Sequence, residues 1–288
     1  MKMLTIIAVG LLGTTACLST VSTKTVKREG LKNEKKGDEI LTEAWETQGM
    51  NLLHTHQTYH VKGHDQWKGM LGKIGKVWPE NESNIELKYA VGSFDGQVTF
   101  LDGKREGLVA GLQSWQYYEQ EKGKELEFKK KQNARITFGI SAYQYFFELL
   151  DRLKQAPIVV YGGEKEFKGN SYDLVFVTWE KLKTHKEHDQ YCLWINKKTK
   201  VLDYAEYTLH DTYLPGGSMI PGAIEFADYK KVDGILIPFT QYIYAAGVKK
   251  KQEKYLHKLS VSSFEFDSFN DSLLYPNKTI EKIGDSKL

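Results

Sequence analysis

The sequence predicts an α+β protein: one antiparallel sheet of about eleven strands with its helices gathered on one face. Three observations carry this. Apolar residues alternate with polar ones over short runs bounded by turn residues, the pattern of half-buried strands joined by hairpins. The runs come in blocks, helices then strands then one helix then strands, an order that suits an antiparallel sheet with segregated helices. Aromatic residues make up 12% of the 288, with 17 Tyr against only 6 Pro, and such a composition favours pleated, half-buried surfaces.

The clearest unit is Asp189–His210. Its first arm, Gln190–Ile195, sets Tyr191, Leu193 and Ile195 against Gln190, Cys192 and Trp194. A polar turn, Asn196–Lys200, leads to Val201–Leu209. There Val201, Asp203, Ala205 and Tyr207 face one way and Leu202, Tyr204, Glu206 and Thr208 the other. A hairpin alone is marginal in water, so it needs neighbours on both edges.

The rest of the chain supplies them. Residues 18–36 are rich in Ser, Thr, Lys and Glu and read as a tether, with too little apolar surface to fold. A helix is expected from Asp38-Glu39 to Gly49, with Ile40, Leu41, Ala44 and Trp45 on one face and acids in its first turn. Leu52–His64 fits neither period. Trp67, Met70, Leu71, Ile74 and Trp78 keep helical spacing up to Pro79, although Gly69, Gly72 and Gly75 weaken it. From Asn84 the period is two, with turns at Asp95-Gly96 and Asp102-Gly103. Leu112–Gln120 and Glu125–Lys131 continue the meander. Ser141–Gln155 carries Ala142, Tyr145, Phe146, Leu149, Leu150 and Leu153 at helical spacing, a helix with one apolar face. Strands resume at Ile158–Tyr161 and at Tyr172–Trp179. The latter is apolar on both faces and is expected in the middle of the sheet. After the hairpin come the Leu214–Gly222 loop, then Ile224–Tyr229, the Asp233-Gly234 turn, Ile235–Tyr244 and Tyr255–Phe266. No shift of composition marks a second domain, so 38–270 is expected to be a single domain followed by a tail at 271–288. A sheet of this size curls.

The first residues bear on the compartment. Lys2 precedes an apolar run, Leu4–Leu12, that ends in small residues and Cys17. This is a secretory signal over 1–16, too short to span a bilayer. Its end resembles the bacterial lipobox, with Thr14 where Leu is usual. That resemblance implies a lipidated, palmitate-bearing Cys17 at the head of the 17–37 tether. Cys192 is the one other cysteine, so no intramolecular disulfide remains once Cys17 is acylated.

The segment Tyr172–Trp179, the YCLWINKKTKVLDYAEY hairpin after it, and VDGILIPFTQYIY at Val232–Tyr244 resemble the lipoprotein-carrier superfamily of the bacterial Lol pathway, over roughly 38–270. The resemblance implies a curved half-barrel whose concave face is covered by helices over an apolar cavity. It implies a binding protein for lipids or acylated lipoproteins, with no catalytic residues and no cofactor. The anchor at Cys17 is similar to that of the family's membrane-bound acceptors, and implies a monomer held at the outer membrane on its periplasmic side. Leu214, Met219 and Ile220 are the physical candidates for a membrane-contact loop. Phe146, Leu150 and Leu153 are expected to face Phe176, Trp194, Tyr204 and Tyr242 across the cavity.

Other chemistry has less behind it. His54, His56, His60 and His64 fall on one side of a strand, and His56, His60 and His64 on one stripe of a helix. Either could hold zinc, but no cysteine or carboxylate cluster joins them. Gly216-Gly217-Ser218-Met219-Ile220 lacks the second Gly of a nucleophile elbow, and Gly162-Gly163 opens no helix and so no phosphate loop. A net charge of +3 from 40 basic and 37 acidic residues is a mixed surface, not that of a nucleic-acid binder. Two alternatives stay open: an envelope scaffold with a filled core, and a hydrolase without a recognisable motif.

Overall fold

A computed structural model describes residues 31–180, 188–209, 212–213, 222–245, 247–248 and 254–285. Helix α1 (Leu31–Thr47) and a 3-10 turn (Met50–Thr55) lead into β1 (Thr58–Trp67), α2 (Gly69–Gly75), β2 (Glu82–Ala90), β3 (Gly96–Phe100), β4 (Val109–Gln113), β5 (Gln116–Gln120) and β6 (Glu127–Phe128). Helices α3 (Ala134–Phe147) and α4 (Leu149–Lys154) follow. The second run of strands is β7 (Ile158–Phe167), β8 (Asn170–Thr178), β9 (Tyr191–Asn196), β10 (Leu202–Tyr207), β11 (Gly222–Val232), β12 (Ile235–Ala245) and β13 (His257–Phe266).

All thirteen described strands form one antiparallel, open and curled sheet in the order β6-β5-β4-β3-β2-β1-β13-β12-β11-β10-β9-β8-β7. Two meanders are thus joined where the first strand meets the last, with Tyr59 opposite Phe266 and Trp67 opposite His257. The α+β half-barrel expected from the sequence is the observed fold.

The helices cover one face. The main core packs Leu41 and Ala44 of α1, Ile136, Ile140 and Phe147 of α3, and Leu150 and Leu153 of α4 against Tyr59, Leu87, Leu112, Val175, Leu193 and Ile237 of the sheet. Alternation sends the other side chains of β7–β11 outwards. There Phe167, Tyr172, Leu174, Phe176, Trp194 and Tyr204 form a second cluster of edge-to-face rings.

Several elements differ from expectation, each for a physical reason. Leu112–Gln120 is two strands, because Ser114 and Trp115 both take positive φ (47° and 62°) and reverse the chain, the geometry of a two-residue hairpin. Asp203 is an extra residue in β10: Leu202 pairs with Ile195 and Tyr204 with Trp194. This bulge turns Leu202 into the main core beside Ala205 and Tyr207. The apolar β8 lies next to the edge strand β7, not in the middle; its two faces are buried by the two clusters. The helix expected at 141–155 starts at Ala134, where the Asn133 side chain caps Ile136 N, and breaks at Glu148 (φ −101°, ψ 12°). Residues 31–36, read as tether, already belong to α1. The residues read as a tail fold back on the first meander: Leu274 is buried, Gln113 Nε2 donates to Asn277 O at 2.7 Å and Ser114 Oγ to Glu281 O at 2.6 Å. Trp67 and Trp78, read as helical, close β1 and fill the core, leaving α2 as a short segment between them.

Candidate functional site

Helix α3 has two working faces. Ile136, Gly139, Ile140, Tyr143, Gln144 and Phe147 are buried. The helix lies close on that side: a Cβ at Gly139 would sit 2.7 Å from the Trp78 ring. Phe138, Ala142, Tyr145 and Phe146 on the other side stay half-buried, because beneath them lies a cavity of about 420 Å³. Its floor takes residues from five successive strands: Tyr191, Tyr207, Gly222, Gln241 with Ile243, and His257. Gly222 is required there, since a Cβ would meet the Tyr207 ring at 2.6 Å. Trp67, Leu71, Ile74, Phe94, Trp115 and Tyr213 complete the walls.

The walls are aromatic and interlocked. Tyr145 stacks on Tyr191 at 5.8 Å, Phe146 tilts against Tyr207 at 5.4 Å, and Phe94 meets Trp115 at 5.1 Å. Burial pushes the Tyr145 phenol up to about 12, and Tyr213 likewise to about 12. Both are uncharged at neutral pH. A concave, largely apolar site with a few polar groups is the usual design for a small amphipathic ligand. At the rim, Met70, Leu71 and Ile74 of α2 are 75%, 53% and 54% exposed, beside Lys68 and Lys73.

One polar cluster sits in this wall. Buried Asp65 takes three donors: Trp67 Nε1 to its Oδ1 at 2.6 Å, and the Tyr143 hydroxyl and His257 Nε2 to its Oδ2, the latter at 2.5 Å. Tyr143 Oη is also 2.7 Å from His257 Nε2, and the Trp67 ring lies 4.3 Å from that of His257. His257 Nδ1 and Gln241 Nε2 are packed inside the protein without a hydrogen-bond partner.

Of the residues expected to line a cavity, the structure brings Phe146 to this one. Leu150 and Leu153 are buried in the main core, Leu150 touching a minor crevice with Phe146. Phe176, Trp194 and Tyr204 point to the opposite face, and so does Tyr242, which packs on Tyr244 and Tyr255 while its neighbour Ile243 points inwards. The strand period decides this: residues of one parity on β8, β9 and β12 cannot meet a helix on the other side. Cys17, Leu214, Met219 and Ile220 lie outside the described residues. The histidines disperse. His54 pairs with Asp151, His56 with Asp267 and His60 with Glu86, each at 2.8 Å, and His64 with Asn84 at 3.2 Å. Among the described residues no group of three or more His, Cys, Asp or Glu could hold a metal ion. Sequence reasoning missed Asp65, Gln241 and His257. Their polar character is visible in β1, β12 and β13, but nothing local shows that they share a wall.

No protein-family model matches the chain, and no curated protein matches it by sequence. Its shape does have counterparts. An outer membrane lipoprotein-sorting protein domain from Vibrio parahaemolyticus superposes with a TM-score of 0.52 at 12% identity, over 85% of this chain and 98% of that one. A DUF1329 family protein from Desulfovibrio piger gives 0.50 at 12% identity, over 84% and 97%. A LolA superfamily protein from Nitrosomonas europaea gives 0.49 at 10% identity, over 83% and 96%. At 12% identity the likeness to the first two is one of fold.

Proposed function

We propose that this is an envelope lipoprotein, anchored through Cys17, that binds lipid or acyl chains in the cavity beneath α3. The observation that carries the reading is the cavity itself. A helix that packs closely through Gly139 on one side leaves Ala142, Tyr145 and Phe146 over open apolar space on the other. Empty space of this kind forfeits contacts that a ligand's methylene groups would supply. The fold shared with a lipoprotein-sorting domain is in keeping with the reading. So are the exposed apolar side chains of α2 beside lysines at the rim, which suit a bilayer surface. Among the described residues no helix is long and apolar enough to cross a membrane, and attachment is assigned to Cys17, with the protein a monomer on the periplasmic side of the outer membrane. The assigned role is binding, not catalysis.

The test is titration of the delipidated protein with a fluorescent fatty acid. Wild type should bind saturably, and Ala142→Trp, which fills the cavity from the helix side, should weaken binding at least tenfold while the protein stays folded. If wild type shows no saturable binding of any lipid probe, the cavity does not serve a lipid.

A further inference from the structure

We infer that Phe146 is the end-stop of the cavity and sets the length of the acyl chain it takes, with the methyl end of the chain against the Phe146 ring. The inference rests on the lipid-binding reading above and adds what selects among acyl chains. The cavity runs along α3. At one end Phe138 meets the Tyr213 ring at 5.1 Å, and Tyr213 donates to Gly75 O. Leu71 and Ile74 of α2 line the cavity while more than half exposed, so this end opens to solvent. Phe146 lies about 12 Å further along the helix axis, tilted against Tyr207. Beyond it the helix breaks at Glu148, and Leu149, Leu150 and Leu153 are buried in the main core. That end is closed.

Register shows what Phe146 shuts off. On the floor Tyr207 stands opposite Gly222, and Ala205 opposite Ile224. Tyr207 and Gly222 line the cavity. Further along β11, Phe226 lines a separate crevice with Leu150, Leu202 and Leu236. Gly222 and Phe226 are about 13 Å apart along the strand. Among the described residues Phe146 alone lines both spaces. The crevice holds about 10 Å³, no more than one water molecule, so an acyl chain stops at the Phe146 ring. The chain enters methyl end first, because the closed end is apolar and the open end keeps a polar head in water. Each methylene taken in raises affinity by up to about fourfold. Once the methyl end meets the ring, a further methylene stays in water at the open end and adds nothing. Removing the ring joins the cavity to the crevice and lets the chain run on towards Leu202 and Phe226.

The experiment titrates the delipidated protein with saturated fatty acids from octanoic to arachidic acid. In wild type the affinity should climb with chain length and then level off at a definite carbon number. Phe146→Ala should move that break to chains about two to four carbons longer, the room given up by the ring. The milder Phe146→Leu should move it in the same direction by less. Phe138→Ala, at the open end, should weaken binding of every length alike and leave the break in place. A fatty acid with a diazirine on its last carbon should cross-link in wild type to Phe146, Tyr207 or Ile224, a readout that needs no variant. The end-stop is overturned if wild type shows no break or if the break stays put in the folded Phe146 variants. It is equally overturned if Phe138→Ala moves the break as far, or if the cross-links fall at Ile74 and Tyr213. Each of these leaves the lipid reading standing. Failure of every fatty acid to bind overturns both.

Discussion

Arg152 donates from Nη2 to Glu148 Oε2 at 2.7 Å, with both side chains buried at the break between α3 and α4. The same nitrogen reaches Ser93 O, and the guanidinium lies 4.1 Å from the centre of the Phe94 ring. One ion pair thus ties the helix break to the β2–β3 loop that borders the cavity. Burial raises the pKa of Glu148 above its ordinary 4.5, and the Arg152 charge pulls it back. Replacing one partner strands the other, so Arg152→Leu should cost about 3–5 kcal/mol at neutral pH. The pH dependence has a definite sign. A carboxyl whose folded pKa is raised favours the folded state below its unfolded pKa, and that contribution is lost as pH rises through the folded value. Without Arg152 the folded value rises further. Arg152→Leu should therefore be nearest to wild type near pH 4.5 and fall behind steadily as pH rises. Thermal denaturation across that range checks this; a deficit independent of pH would refute it.

Gly139 is the point where α3 meets Trp78. A methyl group there would lie 2.7 Å from Trp78 Cη2, 2.8 Å from Cζ3 and 2.9 Å from Val77 Cγ2. In an exposed helix Gly→Ala would gain up to about 1 kcal/mol. Here overpacking dominates, and Gly139→Ala should lose about 1–3 kcal/mol in urea denaturation. A stabilised variant would mean that α3 is free to lift from the sheet.

Much of the fold is written locally. The Asp233-Gly234 turn is legible because Gly supplies a positive φ and the flanking runs alternate; the structure pairs Val232 with Ile235 there. The reversal at Ser114-Trp115 is illegible for the opposite reason. No glycine marks it, and its support is distant: Ser114 N donates to Asp95 Oδ1 at 2.5 Å and its hydroxyl to Glu281 O. The bulge at Asp203 is held by Asn196 and Tyr172, again side chains that no period reveals. The inward set of the Gln190–Ile195 arm follows from alternation, whereas the bulge overrides alternation in the second arm.

The site was legible to the same extent. Helical spacing finds Phe146. It cannot tell that Leu150 and Leu153, on the same stripe, fall beyond the break at Glu148 and into the core. Facing residues were harder still. Phe176 and Trp194 are apolar in a sheet with two apolar faces on that side, so hydrophobicity alone does not say which face they occupy. Asp65 and His257 lie 192 positions apart. They meet because β1 pairs with β13, a long-range closure that no local pattern encodes.

The proposed anchor at Cys17 makes an independent prediction. The apolar run of Leu4–Leu12 ends in small residues at Cys17. Radiolabelled palmitate should enter the wild-type protein, which should fractionate with membranes. Cys17→Ser should lose the label and appear in the soluble envelope fraction. One chain gives only marginal attachment, so a stable membrane fraction requires the two or three chains of a lipoprotein. Wild-type protein that never takes up palmitate ends the anchor assignment, whatever the cavity binds.

Phe146 and Leu150, one turn apart in sequence, should respond differently to truncation. Leu150 is buried in the main core at the start of α4, whereas Phe146 is half-buried above the cavity with one side against Tyr207. Removing a packed leucine deletes its transfer energy and leaves a void, so Leu150→Ala should cost about 2–5 kcal/mol. Phe146→Ala removes more atoms, yet many of them already face open space. Its new void joins an existing one instead of being cut into dense packing. The loss should therefore fall below the cost of Leu150→Ala, while fluorescent fatty acid binding changes for Phe146→Ala and stays near wild type for Leu150→Ala where that variant is folded. Chemical denaturation and lipid titration on the same two preparations make the comparison. If Phe146→Ala carries the full core penalty and leaves lipid binding untouched, Phe146 is packed as core, and the space beneath α3 is filled.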